Sequence, residues 1–258
     1  MFTHAIVRVP ARSFADGLTT ANLGAPDYYT AILQHRAYCK ALEDCGLQVT
    51  VLEPDPAHPD SVFVEDTAVL AGSRAILTRP GAPSRLGEVD TIAGTLAGFF
   101  EDVRRIEAPG TLDGGDVCEA DGHYFIGLSA RTNQAGAGQL AGFLKEKGFS
   151  ASFIDISGIP GILHLKSGIA YLGGGHLAAI EPLAGLPELQ RFNLVRVPEE
   201  ERYAANCVRV NDAVLLSWGY PATQAALEGL GLAVIALPMD EFEKMDGGLS
   251  CLSLRFSL

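Results

Sequence analysis

With 258 residues, 48% of them hydrophobic and 19% charged, the chain is too apolar for a disordered or coiled-coil protein and has enough material for a sizeable core. A net charge of −12 without basic runs argues against a nucleic-acid partner. No apolar run approaches a membrane span, the start MFTHAIVRVPARS is too polar for a secretory leader, and five cysteines without a CxxC pair give no disulfide framework and no zinc spacing. The expectation is one domain, 1–258, in a reduced cytoplasm.

The chain opens with a strand, FTHAIVRVP, followed by a small polar loop bracketed by Gly17 and Gly24. Leu18 lies in that loop, which is either a lid or a plain surface connection. A helical pattern over 28–46 ends in glycine and leads to an alternating strand, LQVTVLEP at 47–54. The acids Asp60, Glu65 and Asp66 then flank the apolar run SVFV, ahead of a hairpin, TAVLAGSRAILT.

The same order recurs. A helix over 84–100, a strand at 103–109, DGGD at 113–116 and the hairpin DVCEADGHYFIG form the next unit. A helix over 132–148, a strand at 149–156, HLK at 164–166 and GIAYLGGGHLAAI follow. The fourth helix, around Glu188, is weak, but the strand at 192–198, AAN at 204–206 and CVRVNDAVLLSW keep the pattern. A short helix at 222–231, a strand at 232–238 and GGLSC at 247–251 begin a last unit that lacks its second hairpin strand. Four of the five recurring strands end in proline, as strand ends tolerate.

Repeats of about 40–50 residues suit a circular architecture. The expected fold is α/β, five strand–strand–helix–strand units around a pseudo-fivefold axis, with the first strand closing the ring beside the last. Equivalent points of a ring converge on its axis. Glu65, Asp66, Asp113, Asp116, His164, Asn206 and Cys251 are therefore expected at one hub.

Each of these residues has an ordinary reading as well. A lone cysteine in LSCLSL is commonly core, a histidine between two leucines is commonly structural, and DGGD alone is a common surface turn. His164 is expected on a strand, where Lys166 shares its face. Carboxylates suit a guanidinium because each accepts paired N–H bonds. Arg85 and Arg131 follow turns and form a pair that could hold a carboxylate.

Taken together, the stretches RSFADGLTTANLG, PDSVFVEDTAVL, GTLDGGDVC, GLSARTNQAGA, HLKSG, AANCVRVN and EKMDGGLSCLS resemble dimethylarginine dimethylaminohydrolase, one of the guanidine-modifying enzymes with a five-bladed α/β propeller. They run in family order from residue 12 to residue 253. The resemblance implies Cys251 as nucleophile, His164 as acid–base residue and Asp113, where some relatives have glutamate, as its orienting carboxylate. It implies substrate contacts from Leu18, Asp60, Glu65, Asp66, Arg85, Arg131 and the backbone of Met245. The implied reaction turns Nω-methylated L-arginine into L-citrulline and a methylamine, with no metal or cofactor, in a monomer or homodimer. Arginine or agmatine deiminases are the nearest alternative, and a non-enzymatic five-repeat ribosome-binding factor is the alternative from another class.

Overall fold

The fifteen strands pair into five separate three-stranded sheets. A computed structural model describes residues 1–258. In chain order, the first blade holds β1 (His4–Arg8), helix α1 (Tyr28–Asp44) and β2 (Gln48–Leu52). The second holds β3 (Ala68–Ala71), β4 (Arg74–Leu77), α2 (Glu88–Ala97) and β5 (Asp102–Arg105). The third holds β6 (Val117–Ala120), β7 (His123–Leu128), α3 (Gln134–Glu146) and β8 (Ser150–Asp155). The fourth holds β9 (Ile169–Gly173), β10 (His176–Ile180), α4 (Glu181–Ala184) and β11 (Asn193–Val197). The fifth holds β12 (Val208–Val210), β13 (Ala213–Ser217), α5 (Pro221–Gly229) and β14 (Ala233–Leu237). A short α6 (Asp240–Glu243) leads to β15 (Leu254–Phe256).

In the second to fifth blades a hairpin pairs antiparallel, and in all five the strand after the helix adds parallel on the far side of the middle strand. The first and last strands close the ring as expected: β1 pairs antiparallel with β15, placing Ile6 opposite Leu254. The architecture is the five-bladed α/β propeller.

Local chemistry explains the elements. Asp27 caps α1 by accepting the Thr30 N–H at 2.7 Å, and Asn133 caps α3 through Gly136 at 2.8 Å. The middle strands β4 and β13 are buried almost throughout, whereas the outer β2 and β14 bury only part of each face. Helix α2 begins four residues later than the sequence pattern suggests, because Pro83–Arg85 forms a separate 3₁₀ turn. Pro182 and Pro187 split the fourth helical stretch into α4 and a 3₁₀ turn, which is why its periodicity is weak. No helix is long and apolar enough to cross a membrane.

The innermost strands line the axis, and each is preceded by a short 3₁₀ turn: Val64–Thr67, Gly114–Asp116, Leu165–Ser167, Glu199–Ala205 and Ser250–Leu252. Polar side chains stitch successive turns together. Asp66 accepts the Gly115 N–H (2.8 Å), Asp116 the Leu165 N–H (3.0 Å) and Asn206 the Ser250 N–H (2.9 Å). Buried backbone donors need such partners. The recurring polar motif thus holds the ring together before it does any chemistry.

Candidate active site

Two of these turns carry the groups best suited to nucleophilic chemistry. Cys251 sits in the last turn, 8% exposed, with its N–H donated to Gly248 O at 3.1 Å. The chain before it must pack tightly: a Cβ on Gly247 would lie 2.2 Å from the Phe63 ring, and one on Gly248 would lie 2.5 Å from the Asn206 side chain. Glycine is required at both positions.

His164 does not lie on a strand. It is the extended residue just before the 3₁₀ turn Leu165–Ser167. A 3₁₀ turn repeats every three residues and destroys the two-residue alternation of a strand. His164 and Lys166 therefore diverge instead of sharing a face: His164 lines the pocket that holds Cys251, and Lys166 pairs with Glu65.

His164, Cys251, Leu18, Asp60, Asp66, Arg85, Arg131 and Met245 line one small pocket of about 20 Å³ at one end of the axis. Asp113 is fully buried behind it and holds His164 Nε2 directly at 3.0 Å. The shorter side chain thus reaches the imidazole. Asp66 lies on the other side of the ring, 4.0 Å from Nδ1. The Leu18 N–H donates to both oxygens of Asp60, at 3.0 and 3.2 Å. Thr20 binds Asp246 through its N–H and its hydroxyl, and the Thr19 hydroxyl donates to Lys244 O. The Gly17–Gly24 loop is therefore docked over the pocket.

Two expected members are placed differently. Glu65 was expected to touch substrate, yet its carboxylate turns from the pocket toward Lys166 (2.6 Å) and the Ser250 hydroxyl (2.8 Å). It lines a second cavity, of about 720 Å³, on the hairpin side of the axis. The turn geometry sends neighbours Glu65 and Asp66 to opposite ends. Arg85 lines the pocket, but its guanidinium is caged by Asp66 (2.6 Å), Glu88 (2.8 Å) and the carbonyls of Asp60 and Phe63. Of the two arginines, Arg131 has no hydrogen-bonded or ionic side-chain partner, so they are not an equivalent pair. Glu88, three residues after Arg85, was the sequence signal for that cage.

Gly247, expected as a tight turn, completes the lining with Phe63, Leu163 and Asp246, which were not singled out from sequence. Phe63 lies in an apolar run that reads as plain core, and Leu163 merely flanks the histidine.

The electrostatics are asymmetric. Burial, together with the carboxylates of Glu65 and Asp66, pushes the Cys251 thiol up to about 12. Burial works against a charged His164, but Asp66, the hydrogen bond that the imidazole donates to Asp113, and Asp116 outweigh it and hold the imidazole up at about 9. Burial likewise opposes ionised Asp66, yet His164 and Arg85 keep it below the usual carboxylate range. Near neutral pH the resting site is a thiol beside an imidazolium and a carboxylate.

Asp66, Asp113 and His164 offer donor atoms within 4.8 Å of one another, a spacing a metal ion could use. Those atoms are already engaged, by Arg85, Gly115, Gly81 and each other, and a protonated imidazole is no ligand. The set suits a bound organic cation better than a metal.

A five-bladed ring with a thiol, an imidazole and several carboxylates at its hub defines a guanidine-modifying hydrolase. No protein-family model matches the chain. It is 48% identical to N(G),N(G)-dimethylarginine dimethylaminohydrolase of Pseudomonas aeruginosa, covering 99% of this chain and 100% of that protein. It is 35% identical to the protein of the same name from Streptomyces coelicolor, over 97% and 96% of the two chains. A cysteine-to-serine variant of the Pseudomonas aeruginosa enzyme, solved with citrulline, superposes with a TM-score of 0.96, 47% identity and coverage of 99% and 100%. The chain belongs to the dimethylarginine dimethylaminohydrolase family. The amino-terminal domain of the cyanobacterial arginine dihydrolase ArgZ shares the fold alone, at a TM-score of 0.87 and 20% identity.

Proposed function

We propose that the protein hydrolyses Nω-methylated L-arginine to L-citrulline and a methylamine through a covalent adduct on Cys251. What supports this is a thiol, an imidazolium and carboxylates around one small pocket, in a chain 48% identical to a dimethylarginine dimethylaminohydrolase.

In this reading Asp60 and Asp66 accept N–H bonds from the guanidinium and hold its central carbon at the sulfur. Arg131 receives the α-carboxylate, and the Leu18 loop excludes water. The bound cation offsets the carboxylates that keep the thiol protonated, so substrate binding promotes loss of its proton. The thiolate attacks the guanidine carbon to give a tetrahedral adduct. His164 gives its proton to the methylated nitrogen, the C–N bond breaks, and the amine leaves a cationic thiouronium on sulfur. Neutral His164 then takes a proton from water as its oxygen attacks the same carbon. Collapse breaks the C–S bond, the hydroxyl proton is lost to restore the thiol, and citrulline departs. Asp113 keeps the imidazole oriented throughout.

Cytoplasmic residence, a single working domain and a monomeric or homodimeric state belong to the same proposal. Five free cysteines favour a reducing compartment. The test is citrulline release from asymmetric dimethylarginine, monomethylarginine and arginine. Turnover of the methylated substrates well above arginine is expected. Equal or greater turnover of arginine would favour a deiminase.

A further inference from the structure

One buried carboxylate lies outside both cavities and has no part in the chemistry above. Asp116 is fully buried and lines neither the pocket of about 20 Å³ nor the cavity of about 720 Å³. Its two oxygens accept from two different parts of the site. Oδ1 accepts the Leu165 N–H at 3.0 Å, in the turn that presents His164. Oδ2 accepts the Ser129 hydroxyl at 2.6 Å. Ser129 Oγ in turn accepts the Arg131 N–H (3.0 Å) and the Thr132 N–H (3.1 Å). Thr132 is buried as well, and its hydroxyl accepts the Asp113 N–H at 3.1 Å.

The connections close a circuit. His164's turn, the Arg131 loop and the backbone of Asp113 are all tied to one side chain. We propose that Asp116 is a positioning residue that fixes the spacing between the two ends of the substrate site, Arg131 at one and His164 at the other. The inference rests on the function proposed above, which gives those two ends their roles.

The chemistry demands a carboxylate there. Both lone pairs of Ser129 Oγ are committed to backbone N–H groups, so its hydroxyl must donate to Asp116. Leu165 N also donates. Both oxygens of residue 116 must therefore accept. An asparagine of the same shape turns its amide N–H groups toward either Ser129 or Leu165, and in each orientation two donors face each other. Space is closed too: a Cβ on Gly127 would lie 3.0 Å from Asp116 Oδ1.

The test compares Ser129→Ala, Ser129→Thr and Asp116→Asn in the full-length enzyme, reading citrulline release and thermal unfolding. Ser129→Ala cuts the tie to the Arg131 loop and leaves the His164 tie whole. It is expected to raise KM about tenfold with kcat changed less than about threefold, and Ser129→Thr, which keeps the hydroxyl, restores KM. Asp116→Asn disturbs both ties and is expected to lower kcat/KM by about a hundredfold, with losses in both kcat and KM. A Ser129→Ala enzyme with parental KM, or one whose loss is only in melting temperature, overturns the proposal. If Asp116→Asn does not fold, the serine pair decides alone. Absence of citrulline with the parent enzyme would instead remove the functional reading beneath it.

Discussion

The two ends of the propeller axis differ in a way that size alone misrepresents. The hairpin end opens into a cavity of about 720 Å³ walled by Tyr124, Phe149, Ile169 and Tyr171, with Glu65, Lys166 and Arg255 at its floor. The other end is a small, loop-covered pocket of about 20 Å³ that holds Cys251, His164, Asp60 and Asp66. The same turns furnish both. Glu65 and Asp66, Lys166 and His164, Ser250 and Cys251 are close neighbours in sequence that project to opposite ends. Convergent charge, and not volume, marks the end where a guanidinium would react. The small pocket reflects a docked loop, since the Leu18 N–H and both Thr19 and Thr20 are anchored across it.

Four changes probe that contrast, from the largest expected effect to the smallest. Cys251→Ser at the loop-covered end is expected to abolish citrulline formation with an unchanged melting temperature, whereas residual activity near parental would mean the sulfur is not needed. Gly115→Ala places a methyl 2.7 Å from His164 Nδ1 and 2.8 Å from Asp66 Oδ1. Displacing both should lower kcat about a hundredfold, measured by steady-state assay on a folded variant. Arg131→Ala removes the pocket's uncaged guanidinium and should raise KM about tenfold while largely sparing kcat. At the open end, Lys166→Met leaves Glu65 with Arg255 at 3.6 Å as its remaining cation. It should cost stability, about 2 kcal/mol by denaturant melt, more than it costs turnover. A turnover loss as deep as that of Gly115→Ala would erase the distinction between the two ends.

The pH profile sharpens the same picture. His164 is held at about 9, above its ordinary 6.5, so its proton is available below that range and lost as pH rises through it. Leaving-group protonation should therefore fail on the alkaline side, and kcat/KM should decline above about pH 9. The same shift favours the folded state, fully so below 6.5 and no longer once pH passes about 9.

Much of the fold was legible because each unit repeats a strand, a polar motif and a hairpin, and both ends of the chain supply one strand of a shared blade. The fourth helix was faint because two prolines divide it. The site was legible as a set of residues but not as directions. Alternation predicts which way a strand residue points, whereas His164, Lys166, Glu65 and Cys251 lie in or beside 3₁₀ turns. Arg85 read as a free partner of Arg131 because Glu88 is the cage's sole local trace, and Asp66 and two carbonyls join it only in the fold. Asp116 was expected at the hub but its role was not legible, and Ser129 stayed unremarked: their work is done against backbone N–H groups, which leave no trace in side-chain patterns.

The account stands or falls on the sulfur of Cys251. Acid quench of the enzyme during turnover of a methylated arginine, followed by peptide mass spectrometry, should find a thiouronium mass on the Cys251 peptide. His164→Gly should show neither adduct nor citrulline from a methylated arginine, because the leaving amine is no longer protonated. Citrulline production with that peptide unmodified at every time point, or an adduct on another residue, would contradict the account.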